Sequence, residues 1–366
     1  MARTVFLGGR VFDGSGLAGA DVVIDGDRIL DVGRGLDGDV AVDVAGASVL
    51  PGLFDCHVHT VLDGISPFQA MQRPFSYQFF LAARNLRTLL NLGITTVRDA
   101  GGADAGIRRA LADKLIAGPR LQISVSMISQ TGGHGDPVMP SGLPGSMFSA
   151  PHPGRPGGVA DGPADLQLKA REMIRAGADV LKVATSGGVL SPDTNPRHGH
   201  YRAEELAALV AEAEAAGIPV MAHAQATAGI KEAIRAGVRS IEHGIFLDDE
   251  AVSMMVERGT WLVPTLVAPR GGARGDRRRC RHCRRQQAQD PRGRAGARRV
   301  VPTGRRRRRT RGDGHRCAGH GIRPQPGRAL AHDGVQRDDP SRRSTRSVLQ
   351  RGLAGSARGA WIRAAR

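Results

Sequence analysis

Two histidines one residue apart, His57 and His59, close the run Val49-Leu-Pro-Gly-Leu-Phe-Asp-Cys-His-Val-His-Thr60. The apolar residues before them give a short buried strand. Side chains alternate along a strand, so both imidazoles turn to one face and Val58 to the other. Two neutral imidazoles converging near a strand's end suit a divalent cation. An isolated His-x-His serves equally well to line a polar pocket, so the rest of the chain decides. Lys182 sits inside Val180-Leu-Lys-Val-Ala184, flanked by apolar residues. His223 sits in Val220-Met-Ala-His-Ala224 and His243 in Ser240-Ile-Glu-His-Gly244. Taken singly, these read as a satisfied core histidine, a strand cap, and a buried ammonium paired with a carboxylate. Taken together, four histidines and a lysine on four buried strands point to a metal centre.

The elements that must position them can be read from periodicity. Residues 3 to about 50 alternate in short runs (Thr4–Leu7, Val11–Phe12, Asp21–Ile24, Arg28–Val32, Val40–Val44) with turns at Asp25-Gly26 and Asp37-Gly38, which predicts a small antiparallel sheet. From Val49 onward the pattern becomes strand, loop, helix, repeated. After the first strand, the others are predicted at Gly93–Val97, Leu121–Ile128, Asp179–Thr185, Ile218–Ala222, Arg239–Glu242 and Thr260–Leu266. Helices are predicted over Tyr77–Leu92 and Asp104–Ala117, and later ones stop at Gly177, Gly217, Gly237 and Gly259. Apolar strands alternating with amphipathic helices predict a parallel α/β fold. Seven such units without a glycine-rich phosphate loop favour a (β/α)8 TIM-type barrel over a doubly wound sheet. The eighth unit does not follow.

Composition changes where that unit is due. The 366 residues carry a formal net charge of +17. From Arg270 on there are 29 arginines, 6 aspartates, no lysine and no glutamate, while all nine Phe and all nine Met lie earlier. The expected organisation is therefore 1–50, an N-terminal sheet; 51–269, an incomplete barrel; and 270–366, an Arg-rich tail unable to bury a core. No apolar run approaches the roughly 18 residues of a membrane span. The N-terminus has no signal-peptide apolar region, and four cysteines make no disulfide framework. A cytoplasmic protein is expected, with homo-oligomerisation left open.

The Pro51-Gly-Leu-Phe-Asp-Cys-His-Val-His59 motif, with the later histidines and lysine, resembles the amidohydrolase superfamily over residues 1 to about 269. The resemblance implies a metal set of His57, His59, Lys182 in carboxylated form, His223 and His243, holding Zn2+, two divalent cations in all. It also implies that residues 1–50 form part of a composite β-sandwich. Ser129-Gln-Thr-Gly-Gly-His-Gly-Asp136, Ala184-Thr-Ser-Gly-Gly-Val-Leu-Ser-Pro192 and Ile241-Glu-His-Gly244 look like the branch with imidazolonepropionase-related proteins and Xaa-Pro or Xaa-Arg dipeptidases. There His134 is implied as a substrate contact. Gln225, two residues past His223, faces the same way and joins it. Arg98 and Asp99 read as a structural ion pair, and His152, His198 and His200 as solvated loop residues. The expected activity is metal-dependent cleavage of a carbon–nitrogen bond in a small substrate such as a dipeptide, by water that the metal activates. A cyclic amide or imidazolone hydrolase, or a deaminase, is the alternative within the superfamily. The implied strand-eight aspartate has no counterpart. Asp313 is the nearest acidic residue, no apolar strand precedes it, and it is not assigned the role.

The tail has two readings. In the first, the coding frame shifts near Arg270: GC-rich sequence read out of frame yields Arg, Gly, Ala and Pro with almost no Lys. Gln336-Arg-Asp-Asp-Pro-Ser-Arg342, shifted by one nucleotide, is compatible with a Met-Thr-Pro-Ala helix start, and the chain as written is then expected to be poorly active. In the second, the tail is a nucleic-acid-binding arm with steep salt dependence. The absence of lysine, and Trp361 as the tail's sole aromatic residue, argue against it. Cys280, Cys283, His315, Cys317 and His320 are irregularly spaced for a zinc knot.

Overall fold

The computed structural model describes residues 2–12, 14, 16–64, 72–138, 141–145, 152–189, 191 and 194–266, together with the backbone of 362–363. The Arg-rich tail, Asp313 and the tail cysteines and histidines lie outside the described residues.

The chain folds as a mixed α/β structure with parallel sheets. It begins with β1 (Thr4–Phe12), β2 (Leu17–Asp25), β3 (Arg28–Gly33), β4 (Val40–Asp43) and β5 (Ser48–Val49). These form one sheet in the order β3-β2-β1-β4, with β5 also on β1. The sheet is not wholly antiparallel as expected: β1–β2 and β2–β3 are antiparallel, while β4 and β5 both pair parallel to β1. Val5, Val11, Val22 and Val23 are buried in it, but Leu17, Ile29, Val32, Val40 and Val42 remain exposed.

The strand predicted from Val49 divides in two. Val49 ends β5, and β6 begins afresh at Leu53–Val58. Pro51 has no N–H for a ladder. Gly52 packs so closely on Thr95 that a Cβ would meet Thr95 Oγ1 at 2.1 Å. The break therefore separates the small sheet from the strand that carries the histidines.

Next come α1 (Tyr77–Asn91), β7 (Ile94–Asp99), α2 (Ala105–Ala112), β8 (Arg120–Ile123) and β9 (Met127–Ile128), with α2 shorter than predicted. The helix α1 buries Gln78, Leu81, Ala82 and Leu86, the i, i+3, i+4 stripe of an amphipathic helix. The Asp104 side chain accepts the Ile107 amide at 2.9 Å and caps α2, a bond type worth about 1 kcal/mol. The single strand expected over Leu121–Ile128 is split. Val125 takes a left-handed φ of 65°, rare for a β-branched residue, so β8 and β9 enter different sheets.

The remaining elements are α3 (Gly162–Arg175), β10 (Leu181–Ala184), α4 (Ala203–Ala215), β11 (Val220–Ala224), α5 (Thr227–Ala236), β12 (Ser240–His243), α6 (Asp249–Arg258), β13 (Trp261–Val263) and β14 (Ile362–Arg363). Gly237 and Gly259 end α5 and α6 in left-handed conformation, as predicted. Strands β6-β7-β8 form one parallel sheet, and β9 to β13 a second in sequence order. Beyond β13, the described residues supply no further parallel strand; only β14 adds, antiparallel. One apolar core containing Leu86, Ile123, Leu166, Leu181, Leu206, Ile234 and Ile241 is shared by both sheets and their helices. Among the described residues no helix is long and apolar enough to cross a membrane.

Candidate metal centre

Ladder register decides which side chains share a face. Lys182 pairs with Met221, Ala184 with His223, and His223 with Glu242. Partners in a parallel ladder face the same way, so Lys182, His223 and Glu242 look to one side of the sheet. Simple alternation would then turn His243 to the opposite side. The backbone corrects this: His243 adopts φ 72° and leaves the strand conformation at its last residue. Its ring consequently lies 4.6 Å from that of His223 and 4.8 Å from that of His57. Sparsely populated conformations of this kind concentrate where a site imposes them.

The first-strand histidines arrive from the other sheet. His57 is in β6 and His59 just beyond it, with ring centroids 5.3 Å apart. His134 stacks on His223 at 4.0 Å. The structure thus brings together His57, His59, His134, His223 and His243. Lys182 is 2% exposed, and after burial its charge helps to lower the pKa of all five imidazoles.

Each ring is held through one nitrogen. The His57 Nδ1 lies 2.7 Å from Glu242 Oε2, and His59 Nδ1 lies 3.0 Å from the Gly101 carbonyl. Both acceptors require the Nδ1–H form, which leaves the lone pair of the neutral ring on Nε2. His223 is held the other way, through Nε2 on the Gly187 carbonyl at 3.1 Å, so its lone pair is on Nδ1. His243 Nδ1 meets Thr265 Oγ1 at 2.7 Å, and His134 Nδ1 meets Ser191 Oγ at 2.6 Å.

Burial sets the charge state. Desolvation drives the pKa values of His57, His223 and His243 well below the usual imidazole range, lowers that of His59, and takes His134 to about 3. The cluster is therefore a set of neutral donors at pH 7. Burial also lowers Lys182 to about 7, against an opposing pull from Glu242. Its Nζ makes no hydrogen bond among the described residues. A buried amine without a partner, beside neutral imidazoles, fits a cation centre by donor chemistry. Among the described residues, however, no three His, Cys, Asp or Glu side chains already gather their donor atoms at metal-holding spacing. The rings converge while the donor atoms remain dispersed.

Other expectations change. Arg98 does not pair with Asp99: consecutive strand residues face opposite ways. Arg98 instead meets Glu242 at 2.8 Å, while Asp99 accepts from Thr60 N and Oγ1 and from the Gly101 and Ala103 amides. His200 is buried, not solvated, and His152 is half-buried, 3.4 Å from Asp104; His198 is exposed as expected. Gln225 is buried just past β11. Its amide donates to Ser186 Oγ, and its Oε1 has no partner among the described residues. Sequence reasoning missed Glu242, although the alternation Ser240, Glu242 along a buried strand carried the signal.

The family model described as the amidohydrolase family matches residues 48–306, so the match ends well inside the Arg-rich stretch and not at its start. Ochratoxinase from Aspergillus niger is 35% identical over 233 residues, covering 59% of this chain and 47% of that protein. The chain spans about half the length of the curated relatives it matches. A solved Xaa-Pro dipeptidase with methionine bound in its active site is 33% identical, with TM-score 0.69 over 78% of this chain and 73% of that one. A prolidase complexed with N-methylphosphonate-L-proline is 36% identical, with TM-score 0.67 over 80% and 74%.

Proposed function

The chain belongs to the amidohydrolase family, and from that premise we propose a metal-dependent hydrolase that cleaves the amide bond of a small substrate, a dipeptide of the Xaa-Pro type foremost. The observation that carries this reading is the buried cluster of neutral imidazoles with a buried lysine of lowered pKa whose Nζ has no hydrogen-bond partner among the described residues. The family, and neighbours named as a dipeptidase and a prolidase, support the reaction class. We read β6–β8 and β9–β13 as two arcs of one (β/α)8 barrel, with β1–β5 as one layer of a sandwich. The proposed division is 1–50, 51–269 and 270–366.

In this proposal His57, His59, His223, His243 and Lys182 hold zinc. Bound there, a divalent cation supplies Lewis acidity, polarising an amide carbonyl and acidifying water. The protein's own contribution is to present neutral donors in an enclosed site. Lys182 contributes a further reaction. With a pKa of about 7, a large share of its amine is unprotonated at neutral pH. That nitrogen can bond to the carbon of carbon dioxide and lose a proton, converting a buried base into an anionic oxygen donor. His134 orients substrate: Ser191 holds its Nδ1, and its ring covers His223. Gln225 offers a buried amide oxygen close in sequence to His223. The strand-eight aspartate that the resemblance implies as general base has no counterpart in this sequence, and we infer a frame shift near Arg270 as the reason.

A dipeptide library assayed with zinc-loaded protein from a frame-restored gene tests the substrate. Xaa-Pro hydrolysis is the expected result; turnover of cyclic amides or imidazolones with no dipeptide cleaved would favour the alternative. The substrate contact has its own test. A Cβ on Gly188 would sit 2.1 Å from His134 Cε1, so Gly188→Ala must displace that ring. Both Gly188→Ala and His134→Ala are expected to raise KM by about 5- to 10-fold, the scale of one lost hydrogen bond, with a smaller change in kcat. An unchanged KM in both would remove His134 from substrate binding.

A further inference from the structure

Among the described residues the two parallel sheets share no ladder, yet a buried polar link joins them beside the imidazoles. Glu242 on β12 is fully buried. Its Oε1 accepts from Arg98 Nη2 at 2.8 Å and from Ser240 Oγ at 2.6 Å, and its Oε2 accepts from His57 Nδ1 at 2.7 Å. Arg98, on β7, also donates through Nε to the Cys56 carbonyl at 2.8 Å, one residue before His57. The guanidinium therefore grips both the carboxylate that meets the His57 ring and the backbone beside it. The strands β6, β7 and β12 converge on this one carboxylate.

We propose that Glu242 is the positioning residue for His57, fixing its Nδ1–H tautomer and ring direction, and that Arg98 anchors Glu242 for that task. The inference rests on the reading of His57 as a metal ligand. A carboxylate has acceptor positions for the arginine, the serine and the imidazole together. A primary amide in its place keeps the shape but offers only one acceptor oxygen, so either Arg98 or His57 loses its partner. The arrangement also links His57 of one sheet directly to the strand that ends in His243 of the other. Outer partners of this kind orient the ligand ring and set its basicity.

The test uses the full chain with nitrogen-15 histidine. In the metal-free wild type, two-bond nitrogen–proton couplings should report His57 as the Nδ1–H tautomer, with a strongly deshielded Nδ1 proton. Glu242→Gln and Arg98→Met should lose that signal and weaken zinc binding by about 10- to 100-fold in chelator competition, while circular dichroism stays unchanged. Glu242→Asp, which keeps the charge, should fall between. His57→Asn separates the two claims: if it binds zinc like wild type, the metal reading fails. If His57→Asn loses zinc while Glu242→Gln keeps both affinity and tautomer, the positioning role alone fails. Should the variants not fold, an Nε2–H His57 in the wild type overturns the proposal by itself.

Discussion

A gene with its frame restored near codon 270 is expected to yield a protein that hydrolyses dipeptides at least about 100-fold faster than the chain as written, the scale of losing a general base. It should also retain zinc against chelation and dialysis longer than the present chain, which is expected to bind it more weakly. The argument is physical. The ring of His243 lies within 5 Å of those of His57 and His223, but among the described residues the donor atoms are not drawn to a common point. Among the described residues, the edge of β13 away from β12 carries a two-residue antiparallel neighbour, Ile362–Arg363, where the proposed barrel calls for a further parallel strand. Supplying that strand would press β13 and β12 toward β6 and bring an acid into the centre. The measurements are zinc content by mass spectrometry, turnover on Xaa-Pro dipeptides, and the sequence of the gene itself. Full activity in the present chain would sink the idea and show that its described residues suffice.

The second large effect concerns Lys182, where function and stability are expected to part. Lys182→Met in the frame-restored protein should lower zinc affinity and turnover by at least about 100-fold, the upper range even for residues that merely support a metal site. In the metal-free protein the same change should raise stability. The buried lysine has a pKa of about 7 against an ordinary 10.5, a gap on the order of 5 kcal/mol when the amine is held charged. The sign follows from proton counting. Between pH 7 and 10.5 the unfolded chain binds the proton and the folded chain does not, so stability rises with pH across that window. Below pH 7 both states are protonated and the full cost of a buried ammonium persists. Wild type should therefore gain several degrees of Tm between pH 7 and 10, and Lys182→Met should be flatter and higher at pH 7. Parallel curves for the two proteins would mean that Lys182 is paired in solution and is no candidate for carboxylation.

How far the sequence discloses this site depends on whether the signal is local. The convergence of His57, His59, His223 and His243 is legible, because each sits at or just beyond a predicted strand end. Contacts that cross from one sheet to the other were not. Arg98 and Asp99 are adjacent in sequence and opposite in charge, which suggested a pair, yet strand alternation sends them to different partners. Glu242 was read only as part of a motif because its importance lies in β6 and β7, far away along the chain. The split between β8 and β9 was equally hidden. Val125 has strong strand preference, and only tertiary structure places it at a left-handed φ. The same holds for His243, whose conformation reverses what alternation implies. Parallel pairing of β4 and β5 with β1 escaped too, since hairpin turns signal antiparallel neighbours and long returns carry no mark.

The small sheet at the N-terminus sets a limit before chemistry is reached. Ile29 at 69% exposure and Val32 lie on the edge strand β3, while Val40 and Val42 lie on β4 at the other end of the sheet, so apolar side chains are exposed at both ends. Wet apolar strands of this kind associate with one another. Self-association through these edges is therefore expected to compete with any encounter with zinc. Soluble yield becomes a readout of whether those edges have been given their cover, available before a single substrate is tried.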